Sequence, residues 1–137
     1  MFSKREDIAE KIYALGVLQQ NFVMERLKKL QLNSLQARSL SYIAMHPGTM
    51  QRELAAYLGK QQASVTNILK VLEERGYIYR ESNERQKNLY LTTLGEVMVA
   101  KVQAIFQELG GKTDEIFTTG EREQLVKLLV RLEDQLL

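Results

Sequence analysis

The middle of the chain contains two short amphipathic segments separated by a glycine. The apolar positions of the first segment recur at helical spacing and comprise Met50, Leu54, Ala55 and Leu58. Gly59 follows and supplies the left-handed conformation with which helices commonly end. A second helical segment begins near Gln61, ends at Arg75-Gly76, and has as its inward residues Val65, Ile68, Leu69 and Leu72. We therefore predict a helix-turn-helix motif here.

The period of the apolar residues changes from about 3.6 to about 2 after Gly76. Residues 77–81 and 88–92 are rich in aromatic and branched side chains, and they flank the polar stretch 82–87. This arrangement predicts a β-hairpin with a charged tip directly after the second helix of the motif. The expected fold class is therefore mainly α with a small β component (α+β).

Helical periodicity extends toward the N-terminus of the motif. A first helix is expected over roughly residues 5–30. A second helix is expected to begin at an N-cap supplied by Asn33 or Ser34 and to end before Pro47. The apolar residues on one face of this second helix are Ala37, Leu40, Ile43 and Ala44. Thr49 is predicted to cap the short helix that follows.

Two capping boxes predict the starts of the last two helices. Thr93-Leu94-Gly95-Glu96 is expected to open a helix that reaches about Leu109 and is broken or kinked by Gly110-Gly111. Thr118-Thr119-Gly120-Glu121 is expected to open the final helix. The apolar residues of that last helix are in line and comprise Leu125, Leu128, Leu129, Leu132 and Leu136.

The terminal helices carry more apolar surface than a small single chain can cover. The helix after residue 93 is apolar almost all round, and a helix that is apolar on every side is buried on every side. The first and last helices also carry long apolar stripes at the two ends of the chain. We therefore predict a homodimer in which the terminal helices of two chains intertwine. The alternative is that the stripes pack against each other within one chain.

Composition removes several classes of function. The 137 residues include no cysteine and one histidine, His46, so thiolate catalysis, thiol-based peroxide sensing and cysteine zinc sites are excluded, and no metal or cofactor is expected. The sequence has no glycine-rich phosphate loop and no set of histidine, carboxylate and nucleophile, so we do not expect an enzyme.

Charges interrupt every long apolar stretch, and the N-terminus lacks the features of a secretory signal. The protein is expected to be cytoplasmic and to have no membrane partner.

The net charge of +2 is unevenly distributed along the chain. Residues 25–90 contain eleven basic and six acidic side chains, whereas residues 91–137 contain five basic and eight acidic ones. The exposed face of the second helix of the motif lies in the basic part and is predicted to carry Gln61, Gln62, Ser64, Thr66, Asn67 and Lys70. Amide side chains match adenine edges in the major groove, and hydroxyl and lysine side chains reach phosphates. This face is predicted to bind double-stranded DNA, the alternative being an ordinary solvated face.

The hairpin tip is the second candidate for contact with DNA. It carries Arg85 and Lys87 next to the helix just described. An arginine on a narrow ribbon suits the minor groove, whose negative potential is strongest where the groove is narrow. The alternative is a solvated charged turn.

Several segments of the chain occur together in a recognisable order: Leu54-Ala55-Ala56-Tyr57-Leu58-Gly59, Ala63-Ser64-Val65-Thr66-Asn67-Ile68-Leu69, Gly76-Tyr77-Ile78, Asn83-Glu84-Arg85 and Leu91-Thr92-Thr93-Leu94-Gly95. Together they resemble the winged-helix core of the MarR family of bacterial transcriptional regulators. The resemblance implies that Arg85 is the wing arginine and that Arg80 is a structural arginine of the strand. The sequence departs from the family pattern at Asn83, where the family usually has aspartate, and at Lys60-Gln61, which weakens the N-cap of the recognition helix.

The resemblance implies one domain over residues 1–137, in which a winged helix-turn-helix core (33–93) lies between long dimerisation helices (1–32 and 94–137). It also implies a homodimer that binds a palindromic operator as a repressor, or else as an activator, with its recognition helices in successive major grooves. Family members hold small aromatic or anionic effectors between these parts, so a pocket there is implied, without its residues being fixed. The alternative function is a winged-helix protein-interaction module that binds no operator.

Overall fold

The computed structural model describes residues 7–83 and 86–137, which form six α-helices and a small three-stranded sheet. The helices are α1 (Ile8–Lys29), α2 (Ser34–Met45), α3 (Gln51–Leu58), α4 (Gln62–Glu74), α5 (Thr93–Ile116) and α6 (Thr119–Leu136). The strands are β1 (Thr49–Met50), β2 (Ile78–Asn83) and β3 (Gln86–Leu91). They pair antiparallel in the order β1-β3-β2. The predicted mainly helical fold with a helix-turn-helix and a hairpin is confirmed.

The apolar core lies where the helix-turn-helix packs against α2, the sheet and α5. Its most completely buried side chains include Leu40, Leu54, Val65, Leu69, Leu72 and Leu89. The inward faces predicted for α2, α3 and α4 therefore point into the core, and Ile68 is half-buried beside them. Because one side of α4 is fixed in this way, its opposite polar side faces solvent.

Several predicted helix ends are confirmed. Asn33 caps α2 in a reciprocal box with Gln36, in which the Gln36 N–H donates to Asn33 Oδ1 at 2.8 Å. Gly59 has a φ of 65° at the end of α3. Thr118 and Glu121 form the predicted box at the start of α6, and hydrogen bonds from Thr118 hold the pKa of Glu121 below its usual value. His46 is the C-cap residue of α2.

The prediction that Thr49 caps α3 is wrong. Thr49 is buried and pairs with Leu89 in β1, the short strand that the sequence did not indicate. Met50 occupies the N-cap position, and the Glu53 carboxylate accepts from the Met50 N–H at 3.0 Å. The exposed edge of β3 offers Thr49 a strand partner, and that long-range pairing prevails over the local cap.

The cap of α5 lies one residue earlier than predicted. Thr92, not Thr93, is the N-cap, and its hydroxyl oxygen accepts from the Gly95 N–H at 3.0 Å. The same hydroxyl donates to the carbonyl of Gly76, which ties the helix to the start of the hairpin. A Cβ at Gly95 would lie 2.0 Å from the Tyr77 carbonyl oxygen, so the close contact between α5 and the hairpin requires glycine.

Gly110 and Gly111 do not break α5, which continues to Ile116. Neither glycine has a positive φ, and each therefore keeps ordinary helical geometry. A glycine inside a helix lowers stability by about 1 kcal/mol relative to alanine, but it ends the helix only where the backbone turns left-handed. The prediction treated glycine composition as a stop signal without that condition.

The hairpin ladder is longer than predicted. Pairing continues outward from Ile78 and Leu91 to Asn83 opposite Gln86, so most of the polar stretch assigned to the tip belongs to strands. Polar side chains are compatible with strands here because both faces of the outer hairpin meet solvent, where alternation of apolar residues is not required.

The terminal helices leave much of their apolar surface exposed within one chain. One side of α5 is buried through Met98, Val99, Val102 and Ile105, whereas Leu94, Val97 and Phe106 are about half exposed at 51%, 48% and 48%. No described residue of α6 is buried. The alternative that the stripes cover each other within one chain is therefore wrong, and so is complete burial of α5 by its own chain.

None of the described helices is long and apolar enough to cross a membrane.

Candidate nucleic-acid interface

The polar face of α4 is the main candidate surface. The structure exposes every residue that the sequence assigned to it, namely Gln61, Gln62, Ser64, Thr66, Asn67 and Lys70. No acidic side chain occurs in the helix before Glu73. Glu73 forms an ion pair with Arg80 of β2 at 3.4 Å, so its charge is partly neutralised at the end of the helix away from Gln61. The arrangement can present amides, hydroxyls and one ammonium to a polyanion.

The N-terminus of α4 has no side-chain cap. Gln61 occupies the N-cap position with extended backbone, and its side chain makes no capping hydrogen bond. First-turn amides without an internal acceptor attract anions, and helix termini of this kind commonly bind phosphate oxygens. The weak cap expected from Lys60-Gln61 is confirmed. Exposed Lys60 adds a positive charge beside these amides.

A side-chain bridge from α3 fixes this end of α4, and the sequence did not reveal it. The Gln51 Nε2 donates to the Thr66 hydroxyl oxygen at 2.7 Å and to the Gln62 carbonyl at 3.1 Å. The Thr66 hydroxyl in turn donates to the Gln62 carbonyl at 2.9 Å. Thr66 therefore differs from the other predicted contacts, because its hydroxyl proton is already used within the protein. Gln51 is the first residue of its helix, a position from which a long amide can reach the neighbouring helix.

The opposite end of α4 is held by Arg75. Its guanidinium donates to the carbonyl of Gln31 in the connection between α1 and α2. Gln31 has a φ of 59°, a left-handed conformation that is uncommon for a residue other than glycine. Both ends of α4 are thus attached by side chains, Gln51 at the N-terminus and Arg75 at the C-terminus. A sequence pattern gives no sign of contacts separated by 15 or 44 residues.

The hairpin is the second part of the candidate surface. Lys87 is exposed on β3 and lies opposite Ser82 in the ladder. The predicted wing contact Arg85 lies outside the described residues, as does Glu84. At the base of the hairpin, the rings of Tyr79 and Tyr90 stack with their centroids 5.4 Å apart. Arg80 is paired with Glu73, which agrees with the structural role that the resemblance implied for it.

A cavity of about 300 Å³ lies between α1, α2 and α5. Its walls are mostly apolar and include Val23, Met24, Leu27, Phe106 and Leu109. The one charged side chain among the described lining residues is that of Arg38. This is the region in which the resemblance implied an effector pocket, and its composition suits an apolar molecule that carries an anionic group.

An ion pair between α1 and α5 lies near this cavity. Arg26 donates to both carboxylate oxygens of Glu108, at 3.0 Å and 3.1 Å, and its guanidinium lies 3.5 Å from the centroid of the Phe22 ring. The hydrogen bond from Arg26 holds the pKa of Glu108 below its usual value, with a further contribution from nearby lysines. These contacts attach the first helix to the fifth.

Comparisons with known proteins agree with this geometry. A family model described as MarR family matches residues 30–87. The chain is 32% identical to a Clostridium acetobutylicum protein assigned to the MarR family of transcriptional regulators, with a TM-score of 0.73 over 93% of this chain and 96% of that one. It is 25% identical to Staphylococcus aureus MepR, a transcription regulator of the multidrug efflux pump MepA, with a TM-score of 0.83 over 96% of this chain and 99% of that one. A structure of MepR in complex with DNA has a TM-score of 0.82 and 24% identity, over 98% of this chain and 100% of that one.

Proposed function

The chain belongs to the MarR family of transcriptional regulators, and on that basis we propose that it acts as a homodimeric repressor that binds a palindromic DNA operator. In this proposal, residues 33–93 form the DNA-binding core, and residues 1–32 and 94–137 supply the dimerisation helices. The recognition helix is α4, which enters the major groove by its N-terminus. The hairpin lies along the adjacent minor groove.

The observation that carries the proposal is the exposed polar face of α4, whose inward side is fixed in the core. Gln62, Ser64, Asn67 and Lys70 are exposed and have no acidic neighbour within the helix until Glu73. Asparagine and glutamine can make paired hydrogen bonds to adenine, whereas Lys70 would contact phosphates whatever the base sequence. Thr66 is assigned a positioning role, since Gln51 already occupies its hydroxyl oxygen.

Two recognition helices are needed to bind a palindrome, and the exposed apolar faces of the terminal helices support a dimer. Ile8, Leu18 and Leu136 are 71%, 64% and 78% exposed in the single chain. Burial of such side chains favours association by about 25 cal/mol for each Å² of apolar surface removed from water, against the cost of lost translational and side-chain freedom. A two-fold dimer would space the two recognition helices by about 34–36 Å, one turn of B-DNA.

The hairpin is proposed to contribute Lys87 and Arg85. Lys87 is exposed and can pair with backbone phosphates. Arg85 lies outside the described residues, and its assignment rests on the wing arginine that the resemblance implies. The MepR–DNA complex belongs to a protein of similar fold, which supports a DNA-binding role for these elements.

Selection from a random pool of double-stranded DNA tests the proposal. We expect enrichment of a palindrome whose half-sites are about one helical turn apart. Asn67→Ala should relax the base preference at one position in each half-site, and Lys70→Ala should weaken all sequences alike. Absence of any enriched sequence would contradict the proposal and would favour the interaction module.

We further propose that an aromatic anion binds in the cavity beside Arg38 and releases the operator. A ligand shifts the spacing of the recognition helices only if it binds the two spacings unequally. Aromatic carboxylates should therefore weaken operator binding in an anisotropy titration, whereas the matched neutral amides should not. Arg38→Gln should remove the response to the carboxylates. Equal responses to acids and amides would contradict an anionic effector.

A further inference from the structure

We propose that a second cavity, between the end of α2, the base of the hairpin and the start of α5, is a binding site for a small organic cation. The cavity measures about 320 Å³, which is large enough for a compact aromatic amine or quaternary ammonium compound. The residues that determine its chemistry are Ile43, Pro47, Tyr79, Tyr90, Glu96 and Val99. This site is distinct from the cavity beside Arg38 and does not depend on the proposed DNA-binding function.

The aromatic wall of the site is built by two neighbouring strands. Tyr79 and Tyr90 are paired residues of β2 and β3, and their rings stack 5.4 Å apart with planes 20° from parallel. The Tyr90 hydroxyl oxygen would lie 3.1 Å from a Cβ at Gly48, so the absence of a side chain there lets Tyr90 lie close to the backbone before β1. Faces of aromatic rings attract cations through the ring quadrupole, and ammonium groups in proteins are commonly held against tyrosine.

The charge of the site comes from Glu96 in the first turn of α5. Glu96 is the one charged side chain among the described residues that line the cavity. It is exposed, and no described residue forms a salt bridge or a side-chain hydrogen bond with it. A carboxylate that pairs with no cation of the described residues, placed beside aromatic and aliphatic walls, selects for a positive ligand with an apolar body. The Arg38 cavity has the reverse polarity.

The position of the cavity also suits a regulatory ligand. Its walls come from α2 at its C-terminal end, from both strands of the hairpin, and from α5. A molecule bound there contacts the base of the hairpin and the first two turns of α5 at once. Occupancy would therefore restrain the angle between the hairpin and α5.

Calorimetric titration of the full chain with (3-hydroxyphenyl)trimethylammonium and its neutral isostere 3-tert-butylphenol tests this proposal. The two molecules have the same shape and differ in charge. We expect the cation to bind at least about ten-fold more tightly, because only the cation gains the carboxylate and the ring faces. Failure of the cation to bind, or equal affinity for the two molecules, would overturn the proposal.

Three variants locate the site. Glu96→Gln removes the charge and retains the shape, and Tyr79→Leu removes the aromatic face and retains an apolar side chain. Each should lower the affinity for the cation by at least about three-fold. Glu123→Gln removes the same charge from exposed α6 and should change nothing. Unchanged cation affinity in either of the first two variants would overturn the assignment, even if the wild-type chain prefers the cation.

Discussion

The winged-helix core and the terminal helices use similar apolar residues to opposite effect. In the core, Leu54, Leu69 and Leu72 are fully buried by their own chain. In α6, Leu128 and Leu129 remain 49% and 39% exposed, and no described residue of that helix is buried. The core is therefore complete within one chain, whereas the terminal helices leave an apolar face exposed. The difference separates residues that determine folding from residues that we propose determine assembly.

The largest expected effect is on the core. Leu69→Ala should lower the free energy of unfolding by about 2–5 kcal/mol, because it removes a fully buried side chain and leaves a cavity under α4. Denaturant titration at two protein concentrations measures this. If the core is complete within one chain, the loss of unfolding free energy relative to wild type is the same at both concentrations. A loss below about 0.5 kcal/mol would mean that α4 is not anchored as described.

The second effect is on assembly. Leu128→Asp places a charge on the exposed apolar stripe of α6 and should weaken dimerisation by about 2–4 kcal/mol, as loss of a central interface residue does. Glu123→Gln, on the opposite side of the same helix, is the control. Size-exclusion chromatography across a dilution series distinguishes them. A Leu128→Asp chain that elutes like wild type at every concentration would remove α6 from the interface.

The third effect is on DNA recognition, for which the core must stay intact. Asn67→Ala should cost about 1–3 kcal/mol on the selected operator and much less on other sequences. Lys70→Ala should weaken binding to both kinds of DNA and reduce the salt slope by about one unit. Anisotropy titrations at several salt concentrations measure both. Identical behaviour of the two variants would show that Asn67 and Lys70 do not differ in the kind of contact that they make with DNA.

Two glycines of α5 give effects of opposite sign. Gly95→Ala should destabilise the chain by about 1–3 kcal/mol, because the added Cβ would meet the Tyr77 carbonyl at 2.0 Å. Gly110→Ala has open space around the new Cβ and should stabilise the helix by about 0.5–1 kcal/mol. Thermal unfolding measures both shifts. Destabilisation by Gly110→Ala would mean that a partner helix approaches α5 closely at that point, which would refine the dimer interface.

A further small effect concerns the bridge at the N-terminus of α4. Gln51→Ala should lower operator affinity by about 1 kcal/mol, since it removes two hydrogen bonds that hold Thr66 and the Gln62 carbonyl. Ser64→Ala, which removes a proposed direct DNA contact from the same helix, is the variant for comparison. A Gln51→Ala chain with unchanged affinity and unchanged base preference would show that the core alone positions α4.

The sequence predicted the elements whose signals are local and periodic. The inward faces of α2, α3 and α4 and the caps at Asn33 and Thr118 depend on residues within one or two turns, and these were confirmed. The errors occurred where distant parts of the chain compete. Thr49 pairs with β3 instead of capping α3, and Thr92 takes the cap of α5 because its hydroxyl also reaches Gly76.

The candidate site was predictable to the same extent. Exposure of the polar face of α4 follows from its helical period, so the residues assigned to it could be chosen from the sequence. Gln51 and Arg75 could not, because their contacts span 15 and 44 residues and depend on how helices pack. The two cavities also depend on packing. Arg38 has no sequence signal that distinguishes it from other surface charges, and the capping pattern that includes Glu96 does not indicate a cavity.

We propose that the exposed terminal helices of one chain are completed by a second copy, which sets the spacing of two recognition helices. Sedimentation equilibrium of the wild-type chain at micromolar concentration, alone and with the selected palindromic duplex, tests it most directly. We expect a species with twice the mass of one chain, and a complex of two chains per duplex. A monomer under both conditions would contradict it.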